Sequence, residues 1–319
     1  MVDTAKLWTV REVLEWTSGY LKRQRIEQPR LEAELLLGKS LGQTRVQLYM
    51  NLDQPLSAGE LAAYRSLIRR RAERVPTAYL LGEKEFMSLA LEVNRQVLIP
   101  RPETELLVEE AIRCLNQLAD LGENSPLIAD VGTGSGNIAI ALARHFPLAR
   151  VVALDISPAA LEVAKRNAAR HQVERQMEFI EGDLLTPVLK KLDCKFNLIT
   201  ANLPYIGSNE LPHLPPEVLF EPLIALDGGK DGLAHYRRLV PQARECLAAE
   251  GWLLLEIGSG QARAVSKLFA ADFWGLPRII PDYTGRDRVL EVQKKSPHPP
   301  ARGSLYLKRP APCAEKDQK

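Results

Sequence analysis

Apolar residues recur at helical spacing through the first eighty positions and at sheet spacing beyond them. Val10, Val13, Leu14 and Leu21 form one helical stripe, opened by Thr9 and Glu12 in the spacing of a capping box. A second helix is predicted after Pro29, through Leu31 to Leu37. A third follows the Ser57 and Glu60 pair, carries Leu61, Tyr64 and Ile68, and ends in Arg69, Arg70 and Arg71. Three short helices make a small bundle. From Met87 the period drops to two: Met87, Leu89, Leu91 and Val93 alternate with Ser88, Ala90, Glu92 and Asn94, which predicts a strand or hairpin. Pro102 suits the first turn of a helix through Leu106, Leu107 and Ala111. Strand-like runs at 127–131, 151–155, 177–180, 196–201 and 252–257 then alternate with helical patterns to His145, at 159–169 and at 235–249. Two closing runs at 278–283 and 289–292 bring the count to about seven strands. Such alternation predicts an α/β domain with a mostly parallel sheet. The expected division is a helical domain at 1–82, a β-hairpin linker at 83–100 and the α/β domain at 101–295. The Pro-rich, charged tail at 296–319 is expected to stay disordered.

The chain has 319 residues, 45% of them hydrophobic and 26% charged, which excludes both a disordered chain and a short disulfide-stapled fold. Its net charge of +2 is unevenly divided: the first eighty residues carry 13 Lys and Arg against 9 Asp and Glu. That balance supplies no long-range field for gripping nucleic acid, so no stable nucleic-acid binding is expected. The basic end of the third helix reads as a solvated terminus ahead of an RNA patch. Cys114, Cys194, Cys246 and Cys313 form no C-x-x-C pair, which argues against a zinc site and against secretion. No apolar stretch reaches the roughly 18 residues that span a bilayer, and a cytoplasmic location is expected.

The segment Asp130-Val131-Gly132-Thr133-Gly134-Ser135-Gly136 leaves the first strand of the sheet and enters a helix, where glycines allow a tight turn and close approach to a nucleotide-like cofactor. Asn137 stands where the dinucleotide fingerprint requires glycine, and the form acid-x-G-x-G-x-G resembles the S-adenosylmethionine loop of class I methyltransferases. Asp155 ends the next strand, where a carboxylate can take both ribose hydroxyls. Asp183 and Leu184 follow the third strand; there Asp183 can accept from the adenine amine while Leu184 covers the ring.

The fourth strand ends in Asn202-Leu203-Pro204-Tyr205, which resembles the (N/D/S)-P-P-(Y/F) motif of methyltransferases acting on planar nitrogens, with Leu203 in place of the first proline. An amide nitrogen has its lone pair delocalised, so transfer needs acceptors that hold both N–H groups in place. The Asn202 side-chain oxygen and the Leu203 carbonyl can supply them. Pro204 restrains the preceding carbonyl, and Tyr205 offers a flat face. These four residues are the candidate catalytic and substrate-binding set.

Together with these motifs, Ile99-Pro100-Arg101-Pro102-Glu103-Thr104-Glu105, Phe220-Glu221-Pro222, Gly228-Gly229-Lys230-Asp231-Gly232-Leu233 and Leu255-Glu256-Ile257-Gly258 resemble the release factor glutamine methyltransferase family, from about residue 10 to about residue 293. The resemblance implies a Rossmann-like fold and N5-methylation of the glutamine in the Gly-Gly-Gln tip of peptide chain release factors, with S-adenosylmethionine as donor. It also implies an N-terminal helical domain that helps hold the release factor. It places cofactor contacts on Gly132, Thr133, Gly134, Ser135, Gly136, Asp155, Leu184 and Asn202, and substrate contacts on Asn202, Leu203, Pro204 and Tyr205; the loop and strand-end readings add Asp130 and Asp183 to the candidate cofactor set. Methylation of a ribosomal-protein glutamine remains open, since the chemistry is identical. A DNA adenine methyltransferase uses the same tetrapeptide but needs a base-reading domain, for which the small bundle is a poor candidate.

Overall fold

The computed structural model describes residues 7–120, 122–189 and 195–296. The expected disorder of the tail falls outside them from residue 297 on. The described chain divides into two compact units, one comprising residues 7–84, 93–95 and 215–220, the other 85–92, 96–214 and the chain from 221 on.

Five helices build the first unit: α1 (Val10–Arg23), α2 (Pro29–Leu41), α3 (Arg45–Met50), α4 (Ala58–Ala72) and α5 (Thr77–Leu81). Thr9 and Ser57 cap α1 and α4 in complete capping boxes, as their spacing predicts. α3 and α5 add to the three helices expected. With six and five residues they are too short to show a periodic stripe, although Thr44 and Gln47 form a capping box ahead of α3. Leu14, Leu21, Leu36, Leu37 and Tyr64 fill the core, where the Tyr64 hydroxyl donates to the Ala33 carbonyl at 3.1 Å. The basic end of α4 is not uniformly solvated. Arg69 and Arg70 are exposed, but Arg71 is buried and paired with Glu32 at 2.9 Å and Glu217 at 3.2 Å.

A two-stranded sheet joins β1 (Glu83–Phe86) to β2 (Leu89–Glu92). Met87 and Ser88 form its turn at φ 49° and 59°, so Met87 lies in the turn where the alternation predicts strand. The α/β unit continues with α6 (Glu103–Asp120), β3 (Leu127–Val131), α7 (Asn137–His145), β4 (Arg150–Asp155), α8 (Pro158–Arg170) and β5 (Met177–Glu181). After these come α9 (Thr186–Leu189), β6 (Phe196–Ala201), α10 (Ala234–Cys246), β7 (Leu247–Glu256), α11 (Ala262–Ser266), β8 (Arg278–Pro281) and β9 (Asp287–Gln293). α10 stops at Cys246 because β7 begins at Leu247, earlier than the pattern predicts.

The seven strands run in the order β5-β4-β3-β6-β7-β9-β8, with β3 to β7 parallel and β9 antiparallel to both β7 and β8. Parallel strands are buried on both faces, and side chains alternate accordingly. Ala129, Val131, Val152 and Leu154 face a core shared with Tyr236 and Leu239 of α10, while Ile128, Val151 and Ala153 face one shared with Leu107 and Ala111 of α6. From β3 the chain moves outward through β4 and β5, then returns to the other side of β3 as β6. That reversal opens a crevice at the carboxyl ends of β3 and β6, where ligands of open α/β sheets bind. Val131 pairs in register with both Leu154 and Ala201, so the loops beginning at Gly132, Asp155 and Asn202 start side by side.

Candidate active site

Three glycines shape the loop after β3. Gly132, Gly134 and Gly136 have φ of 74°, 55° and 82°, in the left-handed region that glycine adopts without strain. The amides of Gly132 and Thr133 donate to the Leu154 carbonyl at 2.8 and 2.9 Å. A Cβ on Gly132 would meet Leu203 Cδ2 at 3.0 Å, so the tight turn lets the loop after β6 lie against the glycine loop. Asp130 corrects one expectation. It is fully buried beneath the loop, where it accepts from the Thr133 hydroxyl at 2.7 Å and the Thr200 hydroxyl at 3.1 Å, and it is absent from the pocket wall. Burial pushes its carboxyl up to about 6, against the opposing hydrogen bonds from the two threonines. Asp130 therefore braces the loop rather than facing a ligand. Asn167 of α8 braces it from the other side, donating to the Ser135 carbonyl at 2.9 Å and accepting from the Glu92 amide at 2.6 Å.

Gly132, Thr133, Gly134, Ser135, Asp155, Asp183 and Leu184 line one pocket with Asn202, Leu203 and Pro204. Both Asp155 oxygens accept backbone amides, Oδ2 from Gly134 at 2.8 Å and Oδ1 from Ser157 at 2.9 Å, and the Ile156 amide also bonds the carboxylate, which has lone pairs left for a further donor. Burial raises its carboxyl above the usual carboxylate range. Asp183 is half exposed and ion-paired with Arg238, so part of its accepting capacity is committed. Leu184 is buried at φ 53°, a strained setting for a branched side chain that marks this strand end as a specialised position. The Ser135 hydroxyl is buried without a hydrogen-bond partner among the described residues. The glycine cradle, an Asp155 with spare lone pairs and that orphan hydroxyl fit a polar nucleoside cofactor such as S-adenosylmethionine.

The loop after β6 is held from outside. Asn202 Nδ2 donates to Thr104 Oγ1 at 3.1 Å, and Thr104 Oγ1 donates to Glu256 Oε2 at 2.6 Å. Thr104 and Glu256 are each 1% exposed. Burial pushes the Glu256 carboxyl up to about 7, opposed by the Thr104 hydrogen bond and by Arg288. Gln261 Nε2 donates to the Tyr205 carbonyl at 2.9 Å. A Cβ on Gly232 would lie 2.2 Å from that carbonyl oxygen, and one on Gly228 would lie 2.8 Å from the Pro204 oxygen, so both glycines are needed for the close approach of backbones. Tyr205 differs from expectation: the pocket wall stops at Pro204, and the Tyr205 ring packs against the main core, its phenol pushed up to about 12 by burial and the nearby Glu256. Arg101 pairs with Glu221, which also accepts from the Ile99 amide at 2.9 Å, and Glu105 accepts from the Met87 amide at 2.7 Å. The motifs around Gly232 and Glu256 thus meet the loop after β6 and its supports, while Arg101 and Pro222 line the same pocket. Motif order alone hides the pairings of Thr104, Asn167, Glu256 and Gln261, because each joins distant segments of chain.

Residues 12–82 match the PrmC N-terminal domain, and residues 128–218 match a methyltransferase domain. A release factor glutamine methyltransferase of Geobacter sulfurreducens is 45% identical over 291 residues, covering 91% of this chain and 98% of its own. One from Moorella thermoacetica is 44% identical over 288 residues, covering 90% and 99%. Among solved structures, the hMettl16 catalytic domain in complex with a 3′UTR hairpin shares the fold, with a TM-score of 0.51 at 15% identity over 72% of this chain and 81% of that one. The sheet is that of a class I, S-adenosylmethionine-dependent methyltransferase. With nearly the full length of such relatives aligned, the chain belongs to the release factor glutamine methyltransferase family.

Proposed function

We propose that this protein methylates the side-chain amide nitrogen of the glutamine in the Gly-Gly-Gln tip of a peptide chain release factor, in the cytoplasm, and that its helical unit helps hold that protein substrate. The observation carrying this reading is the register of β3 and β6, which starts a cofactor loop and an amide-accepting loop side by side. Gly134, Ser135, Asp155, Asp183 and Leu184 line one pocket; there the loop amides at the start of α7 would hold the cofactor's carboxylate, Asp155 would take its ribose hydroxyls, and Asp183 and Leu184 would border its adenine. Bound there, S-adenosylmethionine supplies a methyl group on a positively charged sulfur. Asn202 Oδ1 and the Leu203 carbonyl accept the two N–H groups of the amide and hold its nitrogen toward that methyl group, and the nitrogen gives up one of these two protons to solvent as it is methylated. Pro204 keeps the Leu203 carbonyl inward, and Tyr205, set in the core, supports the loop. The protein's contribution is positioning and electrostatics.

Two neutral acceptors require a planar group that donates two N–H bonds. Glutamate would set lone pairs against lone pairs, and asparagine falls one methylene short. Labelled-methyl transfer to purified release factors tests this: the Gly-Gly-Gln factor is methylated, the Gly-Gly-Asn variant reacts poorly and the Gly-Gly-Glu variant not at all. Label in a ribosomal protein or duplex DNA, with none in the Gly-Gly-Gln factor, would replace this reading.

A further inference from the structure

The carboxamide of Asn202 has two faces of nearly the same shape and opposite hydrogen-bonding sense. Turned one way it offers the pocket an acceptor, turned the other way a pair of donors. We propose that Thr104 and Glu256 are positioning residues that lock this carboxamide with its oxygen toward the acceptor amide, and so reject a side chain that cannot donate. This inference rests on the role given above to Asn202.

The lock follows from counting hydrogens. An ionised carboxylate only accepts, and a threonine hydroxyl has one hydrogen. Thr104 spends that hydrogen on Glu256 Oε2 at 2.6 Å, so Oγ1 has only lone pairs left for Asn202. The atom facing Oγ1 at 3.1 Å is therefore the amide nitrogen, and Oδ1 occupies the other side. Both members of the relay are buried, so each has few partners besides the other. Reversing the amide would oppose two acceptors at a half-buried position.

Protonating Glu256 removes the reason for that order. The acid can then donate to Thr104, Thr104 can donate to Asn202 Oδ1, and the NH2 group turns toward the pocket. Arg288 on β9 and Arg101 before α6 favour the charged form of Glu256, while burial and Glu103 of α6 favour the neutral one, with the carboxyl at about 7. The phenols of Tyr205 and of Tyr236, on α10, also face it and stay protonated through this range. Turnover at saturating substrates should therefore rise with pH across neutrality.

The experiment compares Thr104→Val, Thr104→Ser, Glu256→Gln and Asn202→Ala in the full chain, with release factor as substrate and calorimetric titration of S-adenosylmethionine as the check on folding. Thr104→Val should lower kcat about tenfold or more, the scale of a misplaced reacting group, with donor affinity within about twofold of wild type. Thr104→Ser should restore most of the loss. A Gly-Gly-Glu release factor should inhibit Thr104→Val more strongly than wild type, because an unlocked amide can turn its NH2 toward the carboxylate. Wild-type kcat should climb with pH, and Glu256→Gln should flatten that climb. Wild-type turnover in Thr104→Val, equal losses in the serine and valine variants, or the same pH profile in Glu256→Gln as in wild type would each overturn the inference. If Asn202→Ala turned over normally, the underlying reading of the site would fall as well. An inactive Asn202→Ala beside a fully active Thr104→Val would sink the lock alone.

Discussion

Two loops leave the carboxyl ends of adjacent strands, and they are held in opposite ways. The glycine loop is secured by its neighbours: Thr133 bonds Asp130 three residues back, and the Gly134 amide bonds Asp155 twenty-one residues on. The acceptor loop is secured by partners 98 residues away at Thr104 and 56 away at Gln261, with Glu256 set a further 152 residues from Thr104. The glycine loop thus takes its nearest bonds from the β3–α7–β4 segment, with Asn167 of α8 and Thr200 of β6 adding to them, whereas the loop after β6 is held by side chains 56 and 98 residues away. On the proposed function, changes at Thr104, Glu256 and Gln261 should alter methyl transfer more than donor affinity.

The sharpest contrast comes from the loop itself. Asn202→Ala should reduce single-turnover rates by about 10²-fold or more, as for loss of one preorganised polar group, and leave donor binding largely intact. A rate within a few fold of wild type would remove Asn202 from the transfer step. On the donor side, Asp155→Ala should weaken S-adenosylmethionine binding by about 10- to 10²-fold, since charge-assisted bonds contribute roughly 1.5–3 kcal/mol, with thermal stability little changed. Calorimetric titration reads this directly. The smallest effects come from a matched pair of glycines at positive φ. Gly232→Ala forces a Cβ against the Tyr205 carbonyl and should lower kcat several-fold at saturating donor. Gly136→Ala, pressing on Ile140 and Ala164, should instead raise the donor dissociation constant several-fold. Loss of donor affinity in the Gly232 variant as large as its loss of turnover would dissolve the distinction between the loops.

The same distinction governs how much could be read from the chain. The runs at 127–131 and 196–201 are strands with those bounds, because both faces of a central parallel strand must be apolar. Gly132, Gly134 and Gly136 were legible because their backbone angles demand that residue type. Met87 was misread because a turn residue can fall in phase with the strand beside it. α3 and α5 were hidden by their brevity. Asp130 and Tyr205 look like ligand residues by position, but only three-dimensional packing reveals that one braces the loop from below and the other faces the core. The Thr104 to Glu256 relay was illegible for a simpler reason: nothing local in either segment names its partner.

The residues 215–220 that complete the helical unit bear on how this protein is made. Glu217 pairs with Arg71 at 3.2 Å and Arg74 at 3.1 Å, and Phe220 packs against the helical core and under Arg95, 5.2 Å from the ring centre. Arg71 precedes Glu217 by 146 residues, which a ribosome adding about 5–20 residues per second covers in about 7–30 s. The part of the chain synthesised first is therefore finished late, after β3 to β6 have been synthesised. Until then Arg71 lacks Glu217, which leaves it Glu32 among its carboxylate partners in the described residues, and the helical core lacks the contact that Phe220 makes with it.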